Sequence, residues 1–482
     1  MTDALRAYEE AHPDACELQE SDAEFYGVSK GKNLLQKYVQ WIHVPAVKDA
    51  TSEQLEGKKT ALGLLLERVV RTQVSFKSQL EEIKSEAQTK YAKLLGEQTP
   101  VLQSLSEALN SRLQQWAHPD ASLSLVWREQ PDAVKIEEPL AQILAGEGAF
   151  LGDLARCGHG LQRSYLLALL HELAGFEAPN APRLILGCEE PELYQHPPQQ
   201  RHLAEVLERL AEGNAQVVVS THSPYFVSGK GFESVRVVRK DPATQATKVS
   251  MTTFQQISNT ISRVKSEVLT PTALPARMQQ VLQPTLNEMF FAPVVVLVEG
   301  IEDFAYLSTY FVLLGLWEEY RRLGCHIVPV GGKSFLVQAL AIAKHLEIPA
   351  FVVFDADGDE RDPGTLEKHR KDNKAILELC EYKGVDPMPT ATFVGNAVTI
   401  WPTEIADIVR RDLGPASENL GDTVMSKYRL YGRGSLQKNE MYIGYLLWEG
   451  WQQGLRSQSL EQLCTSILAF ARVSKENAIA AA

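Results

Sequence analysis

Two acidic clusters in the second half of the chain follow apolar segments, as the ligands of a metal site often do. VVVLVEGIED carries Glu299 and Asp303, and FVVFDADGD carries Asp355 and Asp357. Asp355 and Asp357 lie two positions apart, so on a strand end their side chains point to the same side. Asp303 falls on the first turn of a predicted helix and faces back toward Glu299. Carboxylates that converge from neighbouring strands repel one another unless a cation neutralises them, and such hard oxygen ligands select Mg²⁺ or Mn²⁺.

This arrangement resembles the Toprim domain, which occurs in topoisomerases, bacterial primases, recombination mediators and certain nucleases. The shared features are a glutamate after one hydrophobic strand and a D-x-D motif after another. Family members add further acids and a lysine, which match VTIWPTEIADIV and YGRGSLQKNE here. The resemblance implies two bound Mg²⁺ or Mn²⁺ ions, with catalytic roles for Glu299 and Lys438. The metal ligands that it implies are Glu299, Asp303, Asp355, Asp357, Glu404 and Asp407.

Lys438 can also be interpreted as an ordinary surface lysine. Lys427 and Arg433 lie close to Lys438 in the sequence, and an exposed lysine usually serves only solvation. A second basic group, just after the acidic loop, either grips a DNA backbone or forms an ordinary charged helix face. Its members are Lys368, His369, Arg370, Lys371 and Lys374.

Another group of polar residues follows two predicted strands in the first half of the chain. RLILGCEEPELYQHP ends a strand with Glu189 and Glu190, at the edge where open α/β sheets bind ligands. VVVSTHSPYF places His222 at the tip of the next strand, and GHGLQR at residues 158–163 opens a predicted helix. From the residues alone, the two acids also fit a solvated turn, and His222 also fits a hydrogen-bonded strand end.

The order of these elements resembles the ABC-type ATPases, in which an acidic pair ends the Walker B strand and a switch histidine follows. The resemblance implies that Glu189 is the Walker B acid, Glu190 the catalytic base and His222 the switch residue. It also implies a signature loop that contacts the nucleotide of a partner subunit. The loop residues are Gly158, Gly160 and Gln162.

The phosphate-binding loop of such an ATPase has no match in this sequence. The loop needs G-x-x-x-x-G-K-[ST], because its backbone N–H groups and lysine bind the phosphates. The one lookalike, GVSKGKN at Gly27–Asn33, has too few residues between its glycines and an asparagine where a hydroxyl is required. We therefore expect no ATP hydrolysis by this chain alone, although ATP belongs to the intact family architecture.

The alternation of strand and helix patterns predicts an α/β protein with two sheet-containing parts. In residues 52–118, apolar positions recur every three or four residues and predict long helices, either an ordinary hairpin or a dimerisation arm. We expect a partial ABC-type ATPase sheet in 1–51 and 119–254, a helical insertion in 52–118, a helical linker in 255–290, a Rossmann-like α/β Toprim domain in 291–440, and a helical C-terminal segment in 441–482.

Composition favours a globular cytoplasmic protein. The 482 residues are 44% hydrophobic and 23% charged, which suits several domains with their own cores. The N-terminus lacks the regions of a signal peptide, and no apolar run reaches the length of a membrane span. The six cysteines have neither zinc nor disulfide spacing. A net charge of −13 argues against non-specific wrapping of nucleic acid but allows a local basic groove or a metal-bridged phosphate site.

An ABC-type core followed by a Toprim domain in one chain resembles the OLD (overcoming lysogenization defect) family of nucleases. The resemblance implies a metal-dependent DNA endonuclease with a two-metal mechanism, acting as a homodimer in phage defence or DNA repair. Two alternatives stay open. One is an ATP-gated, SMC-like DNA-associated clamp whose acids are vestigial, and the other is a scaffold subunit that cleaves DNA only with a partner protein.

Overall fold

The computed structural model of the chain describes residues 11–15, 38–46, 61–74, 76–116, 122–128, 134–137, 139–146, 151–174, 182–213, 215–241, 244–265, 274–430 and 438–480, together with Tyr8, Gly148 and Leu436. The chain divides into two compact units, Met1–Thr221 and His222–Ala482. Each unit is organised by its own largely parallel sheet.

The first unit is built around a three-stranded parallel sheet. The strands of the unit are β1 (Val39–Val44), β2 (Leu144–Ala145), β3 (Gly152–Asp153), β4 (Arg183–Glu189) and β5 (Ala215–Ser220). In the sheet, β4 lies between β1 and β5, while β2 and β3 form a separate antiparallel ladder. A central parallel strand is covered on both faces and is therefore apolar. On β4, Leu184, Leu186 and Cys188 are each at most 2% exposed.

Four helices accompany this sheet in the described residues. They are α1 (Ala61–Gln73), α2 (Lys77–Trp116), α3 (His159–Ala174) and α4 (Pro197–Glu212), and short 3₁₀ turns lie at Pro13–Ala15 and Leu154–Arg156. The 40 residues of α2 confirm the prediction of long helices in this segment. Tyr91, Leu94, Val101 and Leu105 of α2 are 40–63% exposed, and their spacing places them on one face of the helix. This helix therefore carries an exposed apolar stripe.

The second unit contains a five-stranded sheet with the strand order β11-β12-β10-β8-β9. Its strands are β8 (Val294–Val298), β9 (Cys325–Pro329), β10 (Ala350–Asp355), β11 (Phe393–Val394) and β12 (Val398–Trp401). Only β11 runs antiparallel to its neighbour. A separate hairpin pairs β6 (Val237–Lys240) with β7 (Thr247–Ser250).

Helices cover both faces of the five-stranded sheet. They are α5 (Phe254–Lys265), α6 (Leu274–Val281), α7 (Pro284–Asn287), α8 (Ile301–Leu313), α9 (Trp317–Arg322), α10 (Lys333–His345), α11 (Pro363–Leu379), α12 (Ile405–Leu413), α13 (Ala416–Lys427), α14 (Glu440–Gln452) and α15 (Gln458–Ala480). Short 3₁₀ turns lie at Pro224–Phe226, Phe232–Ser234 and Glu288–Phe290. Alternate residues of β8 enter two different cores: Val295 and Leu297 pack in one, Val296 and Val298 in the other. The predicted α/β class with additional helices is confirmed.

The compact second unit begins before the predicted Toprim segment. Residues 222–254, which the sequence analysis assigned to the ATPase-type part, fall within it. Phe232 and Val237 share an apolar core with Leu297 of β8. The domain limits drawn from the sequence stay a prediction.

Candidate metal centre

The carboxyl ends of three neighbouring parallel strands carry the acids of the second unit. Glu299 directly follows β8, Asp355 is the last residue of β10, and Glu404 follows β12. Val298 pairs with Val353, and Asp355 pairs with Trp401, so the three strands end at the same edge of the sheet. This is the edge at which open α/β sheets bind ligands.

Backbone hydrogen bonds set the orientation of two of these carboxylates. Oε1 of Glu299 accepts a hydrogen bond from the backbone N–H of Asp355, at 3.0 Å, and thereby joins the ends of β8 and β10. Oδ2 of Asp303, in the first turn of α8, accepts from the backbone N–H of Gly300 at 2.9 Å. Asp303 is only 4% exposed. Both acids are therefore held at the strand edge by the fold itself.

The electrostatics of the site disfavour negative charge. Burial raises the pKa of Glu299 to about 7, although Lys333 and the backbone N–H of Asp355 act in the opposite direction. Burial, with the charges of Glu299 and Glu302, raises the pKa of Asp303 to about 8. Burial also raises the pKa of Asp355 well above its usual value, and the nearby carboxylates add to this effect. A cation bound among these groups would stabilise their charged forms.

The acids fit a divalent cation by their chemistry but do not form a closed cage. Oδ1 of Asp355 is buried and lacks a hydrogen-bond partner among the described residues. A buried carboxylate oxygen without a partner is costly unless a cation neutralises it. Within the described ranges, no three acidic, histidine or cysteine side chains converge as closely as metal ligands do. Binding of Mg²⁺ or Mn²⁺ would therefore need small side-chain rotations that bring the acids closer together.

Lys333 is the residue of the site that the sequence analysis missed. It is the first residue of α10 and is only 6% exposed. Its ammonium group donates a hydrogen bond to Oδ2 of Asp357, and Nζ lies 3.8 Å from Oε1 of Glu299. Nδ1 of His369 lies 3.0 Å from the same oxygen of Asp357. The available signal was VGGKS at residues 330–334, a lysine placed by two glycines after a strand that ends at this edge.

The remaining predicted residues of the second unit lie at the margin of this cluster. Glu404 is exposed and precedes α12. Asp407 pairs with Arg410, with Oδ1 and Nη1 2.5 Å apart. Lys438 has a side chain that is 73% exposed, and its Nζ lies 3.2 Å from Oε1 of Glu302. The hydrogen bond to Glu302 raises the pKa of Lys438. The lysine thus contacts the residue next to Asp303.

The nucleotide-site residues predicted in the first unit lie at the ends of its strands and at the start of α3. Oε1 of Glu189 lies 3.1 Å from Nε2 of His43, a contact that the sequence analysis did not anticipate. Glu190 follows with a left-handed backbone (φ 40°), and its N–H donates to the Ser220 carbonyl at 2.8 Å. These contacts fix both acids at the carboxyl ends of β4 and β5.

The signature-loop residues surround the beginning of α3. Nε2 of Gln162 donates to the carbonyl of Cys157 at 2.8 Å. The carbonyl of Gly160 accepts from Nε2 of Gln195 at 3.4 Å, and Gly158 precedes the helix. His222 begins the second unit and is exposed. The rejected lookalike at Gly27–Asn33 lies outside the described residues.

Comparisons with known proteins match both parts of the chain. Residues 5–227 match the family described as AAA ATPase domain. Residues 290–357 match the overcoming lysogenization defect protein-like TOPRIM domain. The described helices include none that is long and apolar enough to cross a membrane.

Two curated relatives are similar over part of their length. The Old nuclease of Escherichia phage P2 is 27% identical over 335 residues, which is 66% of this chain and 53% of that protein. The OLD nuclease of Thermus scotoductus is 32% identical over 195 residues, covering 39% of this chain and 35% of that protein. The chain thus spans about half, or less, of the length of these relatives.

Solved structures give weaker matches. The C-terminal region of the Xanthomonas campestris pv. campestris OLD protein is 15% identical, with a TM-score of 0.26, covering 39% of this chain and 98% of that one. The C-terminal region of the Burkholderia pseudomallei OLD protein is 19% identical, with a TM-score of 0.22, covering 38% of this chain and 88% of that one.

Proposed function

We propose that this chain, which belongs to the OLD family by its AAA ATPase-type and OLD-like Toprim segments, is a divalent-metal-dependent endonuclease that hydrolyses DNA phosphodiester bonds. The observation that carries the proposal is the cluster of buried Asp303 with partly buried Glu299 and Asp355, in which Oδ1 of Asp355 lacks a partner among the described residues. Like charges that are buried together destabilise a fold unless a cation neutralises them. Carboxylate oxygens are the ligands that Mg²⁺ and Mn²⁺ prefer.

The proposed mechanism gives each acid a role as ligand. Glu299, Asp303, Asp355 and Asp357 would hold one Mg²⁺ or Mn²⁺ ion or two, with Glu404 and Asp407 at the outer side of the site. A bound divalent ion supplies a Lewis acid for the phosphate and lowers the pKa of a water nucleophile. Glu299 would in addition orient that water for in-line attack.

The two lysines of the site would have different roles, one on the phosphate and one on a metal ligand. Lys438 is exposed and tethered by Glu302 at 3.2 Å, so its ammonium group can turn toward a phosphate bound at the strand edge. There it would offset the negative charge that develops in the transition state. Lys333 is buried and holds Asp357.

The buried acids also bear on the alternative of a clamp with vestigial acids. Raised pKa values at Glu299, Asp303 and Asp355 mean that folding works against their ionisation at neutral pH. A site without function has no physical reason to retain three such groups. The raised pKa values of these three acids therefore support a working metal centre.

A homodimer is part of the proposal. Its support is the exposed apolar stripe of α2, formed by Tyr91, Leu94, Val101 and Leu105. Apolar side chains at helical spacing on a long helix suit pairing with a second copy of the same helix. Sedimentation of the wild type beside a Leu94→Glu/Val101→Glu variant measures this, and a monomeric wild type would refute it.

The test of the nuclease proposal is incubation of the purified chain with supercoiled plasmid and Mg²⁺ or Mn²⁺, without ATP. We expect nicked or linear product with the wild type and at least a hundredfold slower product formation with Asp355→Ala. Asp359→Ala is the matched control, because Asp359 lies in the same loop but is exposed. Intact plasmid with folded wild-type protein under both metals would overturn the proposal, and so would full activity of Asp355→Ala.

A further inference from the structure

We infer that Lys333 and a divalent cation compete for the carboxylate of Asp357, so that Lys333 is a displaceable internal counter-ion of the metal centre. The inference rests on the proposed metal-dependent function and extends it to a residue outside the predicted ligand set. Two observations support it: the position of Lys333 among the acids and the hydrogen-bonded turn that places it there.

The backbone leading to Lys333 is anchored to the metal centre. The N–H groups of Gly331 and Gly332 both donate to the carbonyl of Glu299, each at 3.0 Å. Gly331 has φ +83° and Gly332 has φ +134°, conformations that side chains disfavour. Lys333 follows immediately as the first residue of α10. Its position beside Glu299 is therefore determined by the fold and not by a flexible surface chain.

The ammonium group of Lys333 sits between two of the acids. It donates to Oδ2 of Asp357 and lies 3.8 Å from Oε1 of Glu299, and its side chain is 5% exposed. Nδ1 of His369 lies 3.0 Å from the same Asp357 oxygen and 3.4 Å from Nζ of Lys333. Asp357 itself has a left-handed backbone (φ 53°). Both nitrogen groups contact Oδ2, so a cation that binds this oxygen displaces at least one of them.

Elementary electrostatics disfavours the simultaneous presence of the two cations at this place. An ammonium group and a divalent ion that share the same pair of carboxylates repel strongly, because little water separates them. Binding of the divalent ion therefore favours withdrawal of Lys333 from Asp357. The released ammonium group stays at the strand edge, where it can contact a phosphate oxygen of the substrate.

If Lys333 competes with the metal, Lys333→Met should strengthen Mn²⁺ binding and yet slow DNA cleavage. Lys333→Met keeps the length of the side chain but removes the competing charge, so we expect it to bind Mn²⁺ about tenfold more tightly. DNA cleavage at saturating Mn²⁺ should nevertheless fall, because the ammonium group that contacts phosphate is gone. A lysine that merely supported Asp357 sterically would weaken metal binding when it is replaced.

The experiment is calorimetric titration of Mn²⁺ into the full chain, without DNA. Lys333→Arg retains the charge and should bind Mn²⁺ no more tightly than the wild type. Lys344→Met is the matched control, because it removes the same charge from the same helix where Lys344 pairs with Glu381 at 2.8 Å. Its affinity should stay within about twofold of the wild type, because Lys344 lies eleven residues, about 16 Å, further along α10.

The outcomes separate this inference from the proposed function. A wild type that binds no Mn²⁺ overturns the proposed function. A wild type that binds Mn²⁺, beside a folded Lys333→Met variant with unchanged or weaker affinity, overturns the inference alone. If Lys333→Met does not fold, amine labelling of the wild type with mass spectrometry decides instead. Faster labelling of Lys333 on addition of Mn²⁺ supports the exchange, and unchanged or slower labelling refutes it.

Discussion

Lys265 and Asp372 form a buried ion pair in the second unit, with Nζ and Oδ1 2.5 Å apart and side chains 15% and 4% exposed. The other oxygen of Asp372 accepts a hydrogen bond from Oγ of Ser334 at 3.0 Å. The pair thus connects α5 and α11 to the start of α10, where Lys333 lies. It links α5 to the candidate metal centre.

Breaking this pair from one side should destabilise the second unit strongly. Asp372→Ala leaves the Lys265 charge buried without its partner, so we expect the free energy of unfolding in urea to fall by about 3 kcal/mol. Replacing both residues, as Lys265→Met with Asp372→Leu, should recover much of the loss because no charge then stays buried. Lys248→Met, at an exposed pair with Glu347, is the control and should change little. Equal effects of Asp372→Ala and Lys248→Met would contradict the prediction.

Substitution of Lys438 should separate catalysis from stability. Its side chain is 73% exposed, so Lys438→Ala should leave the melting temperature almost unchanged. We expect kcat for plasmid cleavage to fall about a hundredfold, with little change in KM, because the lysine would act on charge in the transition state. Lys427→Ala is the control for kcat: it removes a 54% exposed lysine whose partner, Glu449, is 11% exposed. Similar kcat values for the two variants would assign Lys438 to solvation only.

Substitution of Gly332, in the turn before Lys333, tests the effect of backbone conformation alone, because an added side chain would not clash with neighbouring atoms. A Cβ added at Gly332 would meet nothing within 4 Å, yet φ +134° is a conformation that alanine avoids. Gly332→Ala should therefore destabilise the protein by about 1–3 kcal/mol and lower the melting temperature.

The control substitution, Gly96→Ala, should raise stability where Gly332→Ala lowers it. A Cβ at Gly96, inside α2, also meets nothing within 4 Å and requires no unusual φ. Gly96→Ala should stabilise the helix by about 0.5–1 kcal/mol. A melting temperature unchanged by Gly332→Ala would show that the turn can adopt another conformation.

ATP turnover by this chain should be undetectable. The sequence has the acidic pair Glu189 and Glu190 but no G-x-x-x-x-G-K-[ST] loop to bind the phosphates. We expect the wild type and Glu190→Gln to release phosphate from ATP at the same background rate in a coupled assay with Mg²⁺. Phosphate release by the wild type that Glu190→Gln abolishes would overturn this expectation.

The basic cluster on α11 should contribute little to DNA affinity. His369 turns to Asp357, Arg370 lies 3.7 Å from Glu367, and Lys374 lies 3.8 Å from Glu378. These neighbouring acids offset the positive charge of the helix face. Lys368→Ala/Lys371→Ala should leave the slope of log K against log salt within about one of the wild-type slope in a DNA-binding titration. If the magnitude of that slope fell by about two, both lysines would be shown to contact phosphates.

The sequence by itself determined the α/β class and the place of the strand-end acids. Apolar runs that end in Glu299 and in Asp355 indicated buried parallel strands, and the carboxyl ends of such strands meet at one edge of the sheet. The helical character of residues 77–116 was likewise readable, because its apolar spacing is local. These features depend on periodicity over a few residues, which can be read from the sequence without knowledge of the tertiary structure.

Only the tertiary structure decided which groups engage those acids. Lys333 follows β9, and β8 separates β9 from β10 in the sheet, so its contact with Asp357 crosses the end of another strand. His369 reaches the same carboxylate from α11. Strand order and the packing of two helices on one face place these residues together. Both arise from long-range burial of apolar side chains, which no local spacing in the sequence records.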